Sequence, residues 1–160
     1  QAAAQLSIEL GERDTEAYAY LGLGHAQAAL ARWPEAVTAY QRTLSTRRQA
    51  GQQTQALEPL AGLARIALAQ GNLGEAKAYI DEIVPHLSYD TYAGIVELIR
   101  VYLTCYQVLT ALQDERATQV LTMGHTILQA RANKIEEPSL RDSYLQIAAH
   151  AELRRLYEAQ

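Results

Sequence analysis

The sequence has no phenylalanine, one cysteine and four prolines among its 160 residues. A disulfide needs two cysteines, so Cys105 cannot form one within the chain, which suits a reducing compartment. No apolar run reaches the roughly 18 residues that a membrane-spanning helix needs. The first residues lack the basic flank and apolar stretch of a signal peptide, and they also lack a starting methionine. We therefore expect a cytoplasmic segment of a longer protein, with no membrane contact.

The charge balance is acidic, with a net charge of −4. Nucleic-acid binding relies on clustered lysine and arginine side chains that contact phosphates. The nearest approach to such a cluster is Arg42, Arg47 and Arg48, which we interpret as a solvated helix face. The sequence therefore predicts no nucleic-acid contact by this segment.

Helix-forming residues dominate the chain, and no segment alternates with the period of two that a strand requires. No stretch rich in glycine, serine and proline divides it, so we expect one all-α domain. Three windows share one pattern, in which an apolar-periodic helix, a short break and a second apolar-periodic helix follow each other. These windows are Ala17–Leu44, Leu57–Val84 and Leu98–His125. An alanine follows each break, at Ala36, Ala76 and Ala117, so the pattern recurs after 40 and then 41 residues.

These windows resemble the tetratricopeptide repeat. Its pattern places a small residue where two helices cross, as in Leu23-Gly24 and Leu63-Ala64, with a looser match at Thr104-Cys105. It continues with a turn and Glu-Ala, as in residues 71–76, and then a large side chain such as Tyr40 or Ile80. The resemblance implies an α-α superhelix, a solenoid of antiparallel helix pairs. The repeat here is longer than the standard length of about 34 residues.

A narrower resemblance covers residues 56–71, 102–109 and 132–145. They are similar to the C-terminal segment of large bacterial proteins that join a switch ATPase, and often a DNA-binding or cyclase domain, to tetratricopeptide repeats. This implies a segment of a bacterial signalling or transcriptional regulator. No glycine-rich loop ending in Lys-Ser/Thr occurs here, so any nucleotide activity would belong to another part of that protein.

The repeats suggest a division of the chain. The first helix of the second repeat begins near Glu58 or is kinked at Pro59, because proline disrupts a helix interior. Pro138 ends one helix and starts another, and a last helix covers about Ala148 to Glu158. The expected units are residues 1–12, the end of a preceding repeat that closes at Leu10-Gly11; 15–50, repeat 1; 55–87, repeat 2; 92–134, a degenerate repeat 3; and 138–160, a C-terminal cap.

The chemistry-bearing residues give little sign of catalysis. None of the four histidines, His25, His86, His125 and His150, has a cysteine or carboxylate at a recurring zinc-ligand spacing. Cys105 occupies a small-residue position of the repeat, which favours a buried packing thiol over a nucleophile. We therefore expect a non-enzyme with no cofactor, no catalytic residue and no metal site.

First helices line the concave face of tetratricopeptide arrays, and the resemblance therefore implies a partner-binding surface. Its candidate residues are Tyr18, Leu21, His25, Glu58, Arg65, Tyr102 and Tyr106. The alternative for Tyr102 and Tyr106 is that they pack against the capping helices. The expected function is to bind a protein or peptide partner, or other domains of the parent chain. Self-association into a homo-oligomer and sensing of a small effector are the alternatives.

Overall fold

A computed structural model describes residues 2–88 and 94–160, with side chains from residue 11 onward. All regular structure within these residues is helical, which confirms the all-α prediction. A short 3-10 helix, Val84–His86, follows the fourth α-helix. The α-helices are α1 (Ala2–Ala29), α2 (Trp33–Gln49), α3 (Gln53–Ala69), α4 (Leu73–Ile83), α5 (Leu98–Ala111), α6 (Arg116–Ala132), α7 (Pro138–Leu145) and α8 (Ala148–Glu158).

Four helices end in the same turn. The second residue after each helix end has a positive φ, and the amide that follows it donates a hydrogen bond to a carbonyl five residues back, at 2.9 Å in each turn. This arrangement satisfies carbonyls that a helix end leaves unpaired. The residues with positive φ are Ala31, Gly51, Gly71 and Gln113. The predicted breaks between helices are therefore confirmed, including two where no glycine marks the turn.

Consecutive helices pack as pairs, α1 with α2, α3 with α4, and α5 with α6, and α3 and α5 join the pairs to one another. Helix α8 packs on α5 and α6, and its Leu153 is fully buried there. The predicted final helix and its role as a cap over the last pair are confirmed. Trp33, the only tryptophan, lies at the start of α2 and is partly buried against the core.

Two predicted helix boundaries are wrong. Helix α1 continues through Leu10-Gly11, so residues 1–12 do not end as a separate helix. One glycine costs a helix interior only about 1 kcal/mol relative to alanine, and good helix formers flank it. Helix α3 begins at Gln53 rather than near Glu58, and Pro59 lies inside it. Burial of residues on both sides of Pro59 compensates for the hydrogen bond that proline cannot donate.

The expected solvated arginine face is wrong at Arg47. Its side chain is 1% exposed, and its guanidinium lies 4.4 Å from the centre of the Tyr18 ring. It donates hydrogen bonds to Asp14 and, at 2.6 Å, to Gln52. The buried charge is stabilised because it gains a carboxylate, an amide oxygen and an aromatic face. Arg47 therefore joins α1 to the turn before α3.

The tightest helix contact in the first two pairs surrounds Tyr40 of α2. A Cβ atom placed on Gly24 of α1 would lie 2.7 Å from the Tyr40 ring, and one placed on Gly62 of α3 would lie 2.5 Å from it. Both distances are shorter than van der Waals contact allows. The ring therefore occupies space that exists only because both neighbours are glycines, as the small-residue pattern at Gly24 predicted. At the other end of the stack, Gly124 of α6 provides similar space for Tyr102 of α5.

None of the described helices has both the length and the hydropathy needed to cross a membrane.

We expect Gly24→Ala to lower the free energy of unfolding by about 1–3 kcal/mol, because the added methyl would overpack the Tyr40 ring. Gly22→Ala is the matched control, two residues away on α1, where nothing lies within 4 Å of the added Cβ. We expect it to raise stability by about 0.5–1 kcal/mol, because alanine loses less backbone entropy in a helix. Urea unfolding followed by circular dichroism measures both values. Equal effects of the two variants would contradict the packing argument.

Candidate functional site

A group of polar side chains lies where α1, α2, α3 and the start of α5 meet. We call it the polar cluster. Three of its members, His25, Glu58 and Arg65, were expected on one partner-binding face, and the structure brings these three together. The full cluster is His25, Tyr40, Glu58, Arg65, Glu97 and Arg100.

Glu58 is the most buried charge of the cluster, with 3% of its side chain exposed. Its carboxylate accepts hydrogen bonds from the backbone amides of Val96, at 3.0 Å, and Glu97, at 2.9 Å. Among the residues the structure describes, no lysine or arginine lies within ion-pair distance of it. The nearest ionisable nitrogen is Nε2 of His25, at 3.4 Å. Two amides therefore hold the carboxylate in place without neutralising its charge.

The His25 ring is fixed from one side. Its Nδ1 lies 2.8 Å from the hydroxyl of Tyr40, at hydrogen-bond distance. Its Nε2 points to the carboxylates of Glu58, at 3.4 Å, and Glu97, at 3.6 Å, but makes no hydrogen bond with either. Glu97 Oε2 is likewise buried without a hydrogen bond, although Arg100 Nη1 is 2.7 Å away. His25 Nε2 is thus a buried polar atom without a hydrogen bond, which is uncommon in folded proteins.

Tyr40 connects this histidine to an arginine. Its hydroxyl accepts a hydrogen bond from Arg65 Nη2 at 3.1 Å. Burial raises the pKa of Tyr40 because it disfavours the phenolate, and the positive charge of Arg65 offsets only part of this. The tyrosine therefore stays neutral at physiological pH and can exchange hydrogen bonds with both neighbours.

A surface depression adjoins the polar cluster. It consists of a cavity of about 230 Å³ between the start of α5 and the α7–α8 region, and one of about 300 Å³ between α3, α5 and α8. Both are lined by Arg100 and Ala149, so we treat them together as the basic depression. Val96 and Ile147 line it and are 67% and 46% exposed, which is high for large apolar side chains.

The charges around the basic depression are unbalanced. Of its two acidic residues, Glu97 contacts Arg100 and Glu152 pairs with Arg155 at 2.7 Å. Arg65 and Arg131 also line it, and neither has a carboxylate within ion-pair distance in the described part of the chain. The depression is therefore a positively charged area on a chain whose net charge is −4.

Three of the seven expected partner-binding residues are buried and do not form an open concave face. Leu21 is 4% exposed within the core, and Glu58 is covered by the connection that leads into α5. Tyr102 is fully buried beneath Gly124 and Leu153, and its hydroxyl donates to the Ser88 carbonyl at 3.1 Å. The alternative stated for Tyr102, packing against the cap, is therefore the one observed.

The remaining expected residues are divided between two places. Tyr18 is 37% exposed, and its hydroxyl donates to the Gly94 carbonyl at 3.2 Å, away from the basic depression. Tyr106 is half-buried against the core. Of the seven expected residues, Arg65 is the one that belongs to the polar cluster and also lines the basic depression. Cys105 is fully buried, and burial raises the pKa of its thiol, as expected for a packing residue.

Sequence reasoning missed Glu97, Arg100 and Arg131. Glu97 precedes α5 and reaches the cluster because the connection before α5 folds back over Glu58. No helical periodicity describes such a connection. Arg131 lies on α6, the second helix of its pair. The repeat pattern assigns second helices to the outer face of the array.

Comparisons of the chain with models of known protein families, with curated proteins and with solved structures found no match. The site is therefore interpreted from its geometry alone.

Two histidines, His125 on α6 and His150 on α8, make the stability of the protein depend on pH. Burial lowers the pKa of His150, whose Nδ1 lies 2.8 Å from the Tyr144 carbonyl, and also that of His125, which stacks on Tyr157 at 3.8 Å. Arg131 and Arg100 lower the pKa of His150 further, whereas the Tyr144 carbonyl and Glu97 oppose them. For His125, Arg154 lowers the pKa and Glu158 raises it. Unfolding releases each histidine to its ordinary pKa of about 6.5.

The unfolded chain therefore binds these protons first as pH falls, and stability decreases below about pH 6.5. Each unit of pKa depression is equivalent to about 1.4 kcal/mol of unfolding free energy. Urea unfolding at pH 7.5, 6.0 and 5.0 measures the loss. His150→Gln should flatten it, whereas His86→Gln, an exposed control, should leave it unchanged. A stability that is constant over this range would contradict the buried-histidine argument.

Proposed function

We propose that this chain is a protein-interaction domain of the tetratricopeptide type, which binds an acidic segment of a partner protein in the basic depression. The observation that carries the proposal is the pair of arginines, Arg65 and Arg131, that line the depression without carboxylate partners. A protein segment with a glutamate or aspartate supplies those partners through charge-assisted hydrogen bonds.

The repeat architecture supports this assignment. The consecutive helix pairs and their repeated turn are the arrangement that helical repeat proteins use to build binding surfaces. Such surfaces receive peptides or partner domains without large rearrangement. The position of the depression between α3, α5 and α8 is consistent with a surface of this kind.

The exposed apolar side chains define a second requirement of the partner. Val96 and Ile147 lie on the depression wall. Water contacts most of the Val96 side chain and nearly half of the Ile147 side chain. Apolar groups at the centre of an interface contribute most when they are fully removed from water. The preferred partner segment therefore combines an acidic residue with a large apolar one.

The alternatives stated for the sequence have less support. Small-molecule pockets commonly enclose 300–1,000 Å³, and taken singly the two cavities of the depression, of about 230 and 300 Å³, lie at or below the lower end of that range. Self-association would need a second copy to present its own acidic and apolar residues to the depression. That outcome is distinguished below by the oligomeric state.

The biological setting that we propose is the C-terminal part of a cytoplasmic bacterial signalling or transcriptional regulator. It is supported by the resemblance of residues 56–71, 102–109 and 132–145 to such proteins. In that setting the partner segment belongs either to another protein or to the switch domain of the same protein. Catalysis has no role in the proposal.

Selection of a random peptide library displayed on phage against the immobilised chain tests the partner chemistry. We expect enrichment of peptides in which glutamate or aspartate lies within a few residues of a large apolar residue. A synthetic peptide of the enriched sequence should bind the wild-type chain with a dissociation constant that rises with salt concentration. Enrichment of basic peptides, or of none, would contradict the proposal.

Substitutions locate the binding site of that peptide. Arg131→Gln should weaken binding at least about tenfold, because hydrogen bonds to charged groups contribute about 1.5–3 kcal/mol. Arg32→Gln is the control, since Arg32 is an exposed arginine of the α1–α2 turn, outside the depression. Sedimentation equilibrium of the free chain should show a monomer. A stable dimer that excludes the peptide would favour self-association instead.

A further inference from the structure

We infer that His25, Glu58 and Glu97 form a binding site for one divalent transition-metal ion of the zinc class. The three ligands come from α1, from α3 and from the residue that precedes α5. This inference is independent of the proposed function, because it concerns the polar cluster and needs no partner protein.

The distances between the ligand atoms suit such an ion. Zinc binds histidine nitrogen and carboxylate oxygen at about 2.0–2.2 Å in tetrahedral geometry, which separates neighbouring ligand atoms by about 3.3 Å. His25 Nε2 lies 3.4 Å from Glu58 Oε1 and 3.6 Å from Glu97 Oε2. One nitrogen and two oxygen atoms lie within 4.8 Å of one another. Small side-chain movements toward a central ion would complete the site.

The unsatisfied atoms of the cluster provide an independent argument. His25 Nε2 is buried and makes no hydrogen bond, and the buried Glu97 Oε2 has only the Arg100 guanidinium, at 2.7 Å, as its partner. The buried Glu58 carboxylate lacks an arginine or lysine partner in the described part of the chain. A bound cation would contact all three groups at once and neutralise the buried charge.

The surroundings already hold the ligands in binding orientations. The Tyr40 hydroxyl can accept a hydrogen bond from Nδ1–H of His25, which leaves the Nε2 lone pair free for a metal. Arg65 fixes that hydroxyl, and two backbone amides fix the Glu58 carboxylate. Metal-binding histidines and carboxylates generally depend on such outer hydrogen bonds.

One neighbour opposes cation binding. Arg100 lies 2.7 Å from Glu97 Oε2, and its positive charge would repel a metal ion. Its side chain is 32% exposed and borders the basic depression, so the guanidinium can turn into solvent when Glu97 binds the ion.

The ligand types restrict the choice of metal. Magnesium and calcium prefer sites made entirely of oxygen atoms, whereas imidazole suits zinc and the other first-row transition metals. Three protein ligands leave a fourth tetrahedral position for water or another oxygen donor. A bound ion would connect the first, second and third helix pairs and stabilise their stacking.

The experiment uses the full chain after treatment with a chelator and its removal. Isothermal titration calorimetry with Zn²⁺ at pH 7.5 should show one site per chain, whereas Mg²⁺ should show none. Co²⁺ as a spectroscopic substitute should give the visible absorption of a tetrahedral nitrogen–oxygen site. Zn²⁺ should also raise the melting temperature.

His25→Gln and Glu97→Gln should each weaken Zn²⁺ binding at least tenfold and remove the Co²⁺ absorption. Glu97 is partly exposed, so its variant keeps the inference testable if His25→Gln does not fold. His86→Gln is the control, since His86 lies beside Glu82 in a separate cavity and would account for adventitious surface binding. Absence of Zn²⁺ binding by the wild-type chain would overturn the inference. Zn²⁺ binding that His86→Gln removes would also overturn it.

Discussion

The contact between the Tyr40 ring and two glycines determines how the first two helix pairs meet. Gly24 and Gly62 lie so close to the ring that no larger residue fits at either position. The ring also carries its hydroxyl to a fixed point between α1 and α3, where it meets His25 and Arg65. The packing of Tyr40 therefore also determines polar contacts, because the same side chain fills the helix interface and orients His25 and Arg65. The orientation of His25, and so the geometry of the whole polar cluster, follows from that contact.

The connection before α5 provides what the repeats themselves do not. Its amides bind Glu58, it contributes Glu97 to the cluster, and it places Val96 on the wall of the basic depression. Standard helix pairs joined by tight turns would leave Glu58 without these partners. The lengthened repeat is therefore directly related to the two sites proposed for this chain.

The sequence predicted helix positions well wherever local chemistry decides them. Gly71 ends α3 with a positive φ, and Pro138 starts α7, as expected. The predicted helix end at Gly11 and the predicted helix start near Glu58 were wrong because burial and neighbouring helix formers outweigh one unfavourable residue. A propensity argument cannot include that contribution before the tertiary structure is known.

The site was predicted only in part, for a related reason. His25, Glu58 and Arg65 were identified because the resemblance to tetratricopeptide repeats projects them onto the inner sides of α1 and α3. Their convergence with Glu97 and Arg100 depends on residues 94–97, which precede α5 outside any helix and which no helical periodicity describes. Leu21 and Tyr102 satisfy the same spacing but are covered by neighbouring helices. Spacing therefore indicates which face of a helix points inward, but not whether that face is open.

Trp33 restricts the tryptophan fluorescence of this protein to one end of the helix stack. The only tryptophan lies in the first helix pair, whereas the cap, α8, is at the other end of the stack. Stacked pairs touch mainly their neighbours, so one end can lose structure before the other. Indole emission would follow the first pair alone, whereas far-ultraviolet dichroism averages over all helices. Any separation between these two signals during unfolding would directly measure how strongly the pairs are coupled.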